Sequence, residues 1–483
     1  MEQQKENING KVLTGAVWKF GERIFAQVVS LIVSIIIARL LDPSEYGVVS
    51  IVTVFFAFAN VIISGGLNTA LIQKKDADKE DYNSVFTVSM VAALLIYACL
   101  FVTAPWIAQI YGKEILVPII RVLGLSLPIY ALKSIVCAYV SATLQFKMFF
   151  FSTLGGTIVS AVVGVWLAVD GFGAWALVAQ QLINTTIDTT ILFINTKLRL
   201  SLRINIEKLK SLGAYGLRIM ASSLLGVTFN QINPLFIGLK YSSADLSYYT
   251  KGRSLPETLS SSMTYTISSV LFPALSKYQD DKGRLLRYTR LYMKVASFVV
   301  FPVMLGFFAV SENFVRVFLT DKWVPAVYYI QIVCLTEMFS VVAVGNCETI
   351  KAMGRSDVFL KMEIAKKTSY FIILALFLFL TDTPEALAIS LVICALVQII
   401  VNSVPNIMLI GYTVRMQLAD LLPNMLISIA MCIIVTFIGK LKMSSIALLI
   451  LQITTGVLVY LGISVVTRNS ALHSMLNFIR NRK

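Results

Sequence analysis

Charged residues interrupt the long apolar runs of this chain repeatedly, and their spacing limits what they can do together. Lys19, Glu22 and Arg23 lie in the first run, Arg121 and Lys133 in the fourth, and Asp188 in the sixth. Arg218 lies in the seventh, Lys251, Arg253 and Glu257 in the eighth, and Glu337 and Glu348 in the tenth. Helical side chains three or four positions apart share a face, so Gly15, Lys19 and Arg23 form one stripe, and Arg253 and Glu257 another. Lys251 and Arg253 are two apart and face different ways. A charge at mid-bilayer costs roughly 2.5 to 3.5 kcal/mol on insertion scales, so each of these residues needs a partner or a wet cavity. Cations outnumber acids in this set, which favours an anionic ligand over a cationic drug. Diphosphate suits Arg in particular: the planar fork binds two oxygens at once, and a nearby Lys adds a point charge.

The candidate anion-binding residues are therefore Lys19, Arg23, Lys251, Arg253 and Arg218. Arg23 falls about ten residues into its helix, roughly 15 Å, close to the bilayer centre. Arg218 falls about five residues in, roughly 8 Å, where its stem can also snorkel to the inner interface. Lys251 sits near an outer end, within reach of head groups. For Arg23 and Arg253 the competing reading is a buried ion pair, with Glu22 or Glu257, that only fixes helix packing. Two roles fit the acids Asp188, Glu337, Glu257 and Glu22: a proton or sodium carrier, or a counter-ion for the cationic cavity when it is empty.

Nothing in the chain suggests bond-making chemistry. The only histidine, His473, lies in the polar tail, and no Gly-rich phosphate loop ending in Lys-Ser/Thr appears, so ATP is not expected as the direct energy source. The six cysteines stand singly in apolar stretches without metal-ligand spacing. No cofactor is expected, apart from H+ or Na+ as a coupling ion.

The elements that must carry these residues follow from composition. With 57% hydrophobic and 14% charged residues and a mean hydropathy of +0.79, the chain of 483 residues has too little polar surface to clothe a soluble globule. A spanning helix needs about 20 apolar residues. Apolar runs place spans near 13–39, 47–72, 84–109, 115–141, 149–169, 173–196, 213–239, 247–274, 289–311, 323–350, 362–380, 385–410, 420–439 and 446–467. The polar start, Met1 to Lys11 with Glu2 and Glu6, does not read as a cleavable signal peptide. Most of the 41 Lys and Arg residues fall on alternate loops and at the two ends, including Lys74, Lys147, Arg203, Lys282, Arg284, Arg287 and Arg290. The positive-inside rule then puts those loops and both termini in the cytoplasm. The net charge of +15 is spread over these short loops, which suits anionic lipid head groups rather than nucleic acid. Trp106, Trp166, Trp175 and Trp323 fall near outer ends, as an aromatic belt would.

A weak repeat recurs after about two hundred residues: Ala38 to Tyr46 faces Gly238 to Leu246, Val117-Pro118 faces Val324-Pro325, and Ala176-Leu177 faces Ala386-Leu387. The expected architecture is an all-α polytopic membrane protein of about 14 transmembrane helices, with two pseudo-repeated six-helix lobes and a C-terminal helix pair. Residues 1–200 form the first lobe, 201–212 an amphipathic inner-face linker with Ile206, Leu209 and Leu212 on one stripe, 213–411 the second lobe, and 412–483 the final pair and tail.

Four strings carry a family likeness: IIARLLDPSEYGVVSIV (36–52), GFGAWALVAQQL (171–182), VLFPALSKYQDD (270–281) and DKWVPAVYYIQIVC (321–334). They resemble the Wzx-type polysaccharide flippases of the MOP superfamily, in particular the colanic-acid exporter branch. The resemblance implies two lobes around a central cavity, alternating access, and transfer of an undecaprenyl-diphosphate-linked oligosaccharide from the cytoplasmic to the outer leaflet of the bacterial inner membrane. It also implies cavity cations from the first and eighth helices, where Lys19, Arg23 and Arg253 stand. A polymerase and glycosyltransferases of the same pathway are the implied protein partners, and a monomer the implied state. The alternative is a MATE-type multidrug antiporter of the same superfamily, whose cationic cargo calls for acids without competing cations.

Overall fold

The computed structural model describes residues 18, 21–22, 25–74, 76–196, 198–473 and 475. Sixteen α-helices follow one another, with no strand among the described residues. They are α1 (Phe25–Leu40), α2 (Pro43–Ser64), α3 (Leu67–Gln73), α4 (Lys79–Ile110), α5 (Leu116–Gly124), α6 (Ser126–Ala142), α7 (Lys147–Val169) and α8 (Ala174–Thr196). The rest are α9 (Ile206–Lys240), α10 (Ser243–Lys277), α11 (Lys282–Phe314), α12 (Ala326–Ala352), α13 (Ser356–Leu380), α14 (Pro384–Ile410), α15 (Val414–Ile438) and α16 (Ser445–Val466). Among the described residues ten stretches are long and apolar enough to cross a bilayer: α2, α4, α5 with α6, α7, α9, α11 with the π turn Val315–Leu319, α12, α14, α15 and α16. The protein is an all-helical, multi-pass membrane protein.

Polar caps set the helix starts. At α2 the Asp42 N–H donates to the Glu45 carboxylate at 3.0 Å. At α10 the Ser242 N–H donates to Asp245 at 3.1 Å, and the Asp245 N–H returns to the Ser242 hydroxyl at 3.1 Å. The same local cap thus recurs about two hundred residues on, at landmarks of the sequence repeat. The expected span 47–72 is broken at Gly65 and Gly66, whose φ values of 53° and 65° lie in the left-handed region that other residues rarely adopt. The break ends α2 and starts α3 on a new axis.

The chain divides into two compact units, Met1–Ser247 and Tyr248–Lys483. In the first, α7 packs along α8, α6 against α4 and α8, and α9 against α2 and α3. Val33, Ile37 and Leu41 bury against Ala168 and Ala176, while Leu71, Tyr82 and Ile135 bury against Leu212. In the second, α11 packs on α12, α15 and α16, and α14 on α12 and α13. Trp106 and Trp166 are each 61% exposed, as a belt requires, but Trp323 is buried edge-on to Tyr248 and belongs to the core of the second unit.

The segment before α9 is strapped to the start of α4. The Ser201 N–H bonds Asn83 Oδ1 at 2.9 Å, the Asn205 N–H bonds the Ser84 hydroxyl at 2.9 Å, and the Thr87 hydroxyl bonds the Arg203 carbonyl at 3.2 Å. Asn205 caps α9, whose first turns include Ile206 on the surface, Leu209 half-buried and Leu212 buried. Lys208 Nζ lies 2.6 Å from Asp78 and holds that carboxyl down to about 2, below the usual carboxylate range.

Candidate functional site

In the second unit one face of α10 carries Tyr249, Arg253, Glu257 and Ser260, spaced three or four apart. Arg253 Nε donates to Glu257, one turn on, and its Nη1 reaches the Tyr249 hydroxyl at 3.4 Å. Tyr329 of α12 meets Tyr249 edge-on at 5.8 Å. Glu337, two turns further along α12, lies within hydrogen-bonding reach of Ser260, and Ser260 bonds Ser340 at 3.2 Å. Tyr370 of α13 is an electrostatic neighbour of both Tyr249 and Arg253. The guanidinium therefore sits among two carboxylates and tyrosine hydroxyls, with 23% of its side chain exposed, against 38% for Glu257. A guanidinium bonded to one carboxylate through Nε can exchange it for another anionic oxygen pair without moving the backbone.

Lys251 takes a different environment. It is buried, with Nζ 5.9 Å from the Trp323 ring, and so does not reach head groups as its sequence position suggested; the Trp323 side chain covers it. Arg218 is exposed on α9. Lys19 and Arg23 lie outside the described residues.

In the first unit Asp188 is buried and pairs with Lys133 at 2.5 Å, joining α8 to α6. The Thr153 hydroxyl donates to Glu22 at 3.3 Å. Arg121 lies 4.3 Å from the centre of the Phe101 ring. Arg290, expected on a basic inner loop, grips the buried Asp420 of α15, to which Tyr412 also donates. No group of three or more potential metal ligands occurs among the described residues.

The tyrosines around Arg253 went unread in the sequence. Tyr249 had a usable signal, since it precedes Arg253 by the same four positions that separate Arg253 from Glu257. Tyr370 had none, because its partner lies on another helix.

Residues 36–328 match the family model described as polysaccharide biosynthesis protein. The succinoglycan biosynthesis transport protein ExoT of Rhizobium meliloti (strain 1021) is 22% identical over 93% of this chain and 91% of its own length. The lipopolysaccharide biosynthesis protein WzxC of Escherichia coli (strain K12) is 22% identical over 74% of each chain. Among solved structures, the lipid II flippase MurJ in an inward closed conformation superposes with a TM-score of 0.77 at 15% identity, covering 94% of this chain and 99% of that one. At that identity the likeness is one of fold.

Proposed function

Because the chain belongs to the polysaccharide biosynthesis protein family, we propose that it flips undecaprenyl-diphosphate-linked oligosaccharide repeat units from the cytoplasmic to the outer leaflet for polysaccharide export. The relatives named for succinoglycan transport and lipopolysaccharide biosynthesis support this reading. The observation that carries it is the Arg253–Glu257 pair on α10: a partly open guanidinium whose carboxylate partner is the more exposed of the two. A diphosphate replaces Glu257 on the fork, and Glu257 returns as counter-ion when the lipid leaves; Lys19 and Arg23 are further candidate cations of the sequence. Glu337 buffers the same site, and the Asp188–Lys133 pair is the corresponding acid of the first unit. Arg218 and Lys251 guide or tune rather than grip.

The reading includes fourteen spans in the inner membrane, two six-helix lobes joined near 201–212, a final pair from 412, and both ends in the cytoplasm. Besides the ten apolar stretches, α8, α10 and α13 are 23, 35 and 25 residues long, enough to cross. They are less apolar because they carry Asp188, the Arg253 cluster, and Lys361 to Lys367, while α1 is apolar but shorter. Loops expected on one side also meet in the first unit, where 44–45, 113–115 and 171–174 share one end and Asp78, Asn83 and 201–208 the other.

The test is leaflet accessibility of the lipid-linked repeat unit in spheroplasts, read by membrane-impermeant periodate. Removing the protein should raise the protected fraction, and wild type, but not Arg253→Ala, should lower it again. An unchanged fraction with and without the protein overturns the proposal.

A further inference from the structure

Three helix junctions of the first unit, α1–α2, α4–α5 and α7–α8, leave a pocket of about 180 Å³ lined by Ser44, Glu45, Lys113, Phe172 and Gly173 among others. Polar loops pinned by backbone bonds build it. Glu45 is fixed by the Asp42 N–H, Lys113 N–H bonds the Ala108 carbonyl at 2.9 Å, and Phe172 N–H bonds Leu167 at 3.1 Å. Gly173, with φ at 57°, closes the α7–α8 loop over the carboxylate: a Cβ there would stand 2.2 Å from Glu45 Oε1. The Phe172 ring is 54% exposed beside this carboxylate and the half-buried Lys113.

We propose that this pocket binds one pyranose ring, a single sugar of the translocated glycan, at the outer face. A sugar offers what the lining asks for: hydroxyls that donate to a carboxylate and accept from an ammonium or a serine, and a C–H face that packs on a phenyl ring. The volume is below the roughly 300–1,000 Å³ of drug-sized sites, so one ring fits and an oligosaccharide extends into solvent. The Glu45 carboxylate repels a phosphate, and the Glu45–Lys113 lining disfavours an acyl chain. The proposal rests on the flippase reading for the source of the sugar and for which face is outer; the pocket chemistry stands apart from it.

The experiment is saturation-transfer NMR on the full-length protein in nanodiscs, probed with methyl glucoside, methyl galactoside, N-acetylglucosamine and glucuronate. At least one should take up saturation through its C–H protons. Lys113→Ala and Phe172→Ala should each weaken that binding about tenfold, the effect of one contact of about 1.4 kcal/mol. Phe379→Ala, which removes an aromatic ring 89% exposed on α13, should leave it unchanged. Absence of transfer to all four sugars, undiminished transfer in both pocket variants, or equal loss in Phe379→Ala overturns the site. Sugar binding by a protein that does not move repeat units would overturn the flippase reading alone, and transport without sugar binding would overturn the pocket alone.

Discussion

Arg290 holds Asp420 by two hydrogen bonds, Nε to Oδ2 at 2.8 Å and Nη2 to Oδ1 at 2.9 Å, and so ties α11 to α15. Tyr412 donates to the same carboxylate at 3.0 Å, and Lys294 Nζ stands 3.4 Å away. One turn further along α15, Asn424 bonds Ser297 of α11 at 2.7 Å, which continues the polar seam. α15 is thus attached to α11 by directed bonds as well as by apolar packing.

Removing one side of this seam should cost stability in proportion to what is left unpaired. Arg290→Ala leaves a buried carboxylate with Lys294 and Tyr412 only, an expected loss of about 1–3 kcal/mol. Asp420→Leu with Arg290→Met removes both charges and should recover most of that loss. Thermal unfolding in detergent of the single and double variants checks this; a double variant less stable than Arg290→Ala would contradict it.

The Asp78–Lys208 contact predicts a pH dependence with a defined sign. Lys208 lowers the folded-state value of Asp78 to about 2, against about 3.9 in an unfolded chain. The stabilisation is therefore present above about pH 4 and is lost as pH falls toward 2. Half the Asp78 side chain is exposed, so the effect is about 0.2–1 kcal/mol. Melting curves of wild type and Asp78→Asn should differ at pH 6 and converge by pH 2; a gap that widens on acidification would reverse the assignment.

What the sequence made legible was whatever depends on local spacing. Apolar runs gave the helices, and four-residue spacing paired Arg253 with Glu257. Partners distant in the chain stayed hidden. Asp188 finds Lys133 and Asp420 finds Arg290 because tertiary packing brings α8 to α6 and α15 to α11, and no periodicity encodes that choice. The same reason explains Lys251: its depth looked interfacial until Trp323 folded over it.

The side assignment of the loops is tested by cysteine labelling in a variant free of the six native cysteines. Single cysteines at positions 42, 113 and 321 should react with an impermeant maleimide in intact cells, and one at position 282 only after permeabilisation. Labelling at 282 from outside would invert the topology.

Arg253 is the residue through which the transport reading can be separated from a packing role. If the guanidinium only balances Glu257, Arg253→Ala strands a partly buried carboxylate, and adding Glu257→Gln should restore both abundance and export. If the fork grips diphosphate, Arg253→Ala should lower export at least tenfold at near-normal abundance, because the side chain is already 23% open to solvent. Arg253→Lys should then fall between the two, since a point charge keeps the attraction but loses the bidentate geometry. Glu257→Gln alone separates the roles further: it removes the counter-ion charge but keeps the guanidinium, so substrate release should slow while binding holds or tightens. Export and protein level are measured in parallel for Arg253→Ala, Arg253→Lys, Glu257→Gln and the double variant. Full export by Arg253→Ala with Glu257→Gln would remove Arg253 from the transport path, whereas normal abundance without export in that same variant is the outcome the diphosphate grip requires.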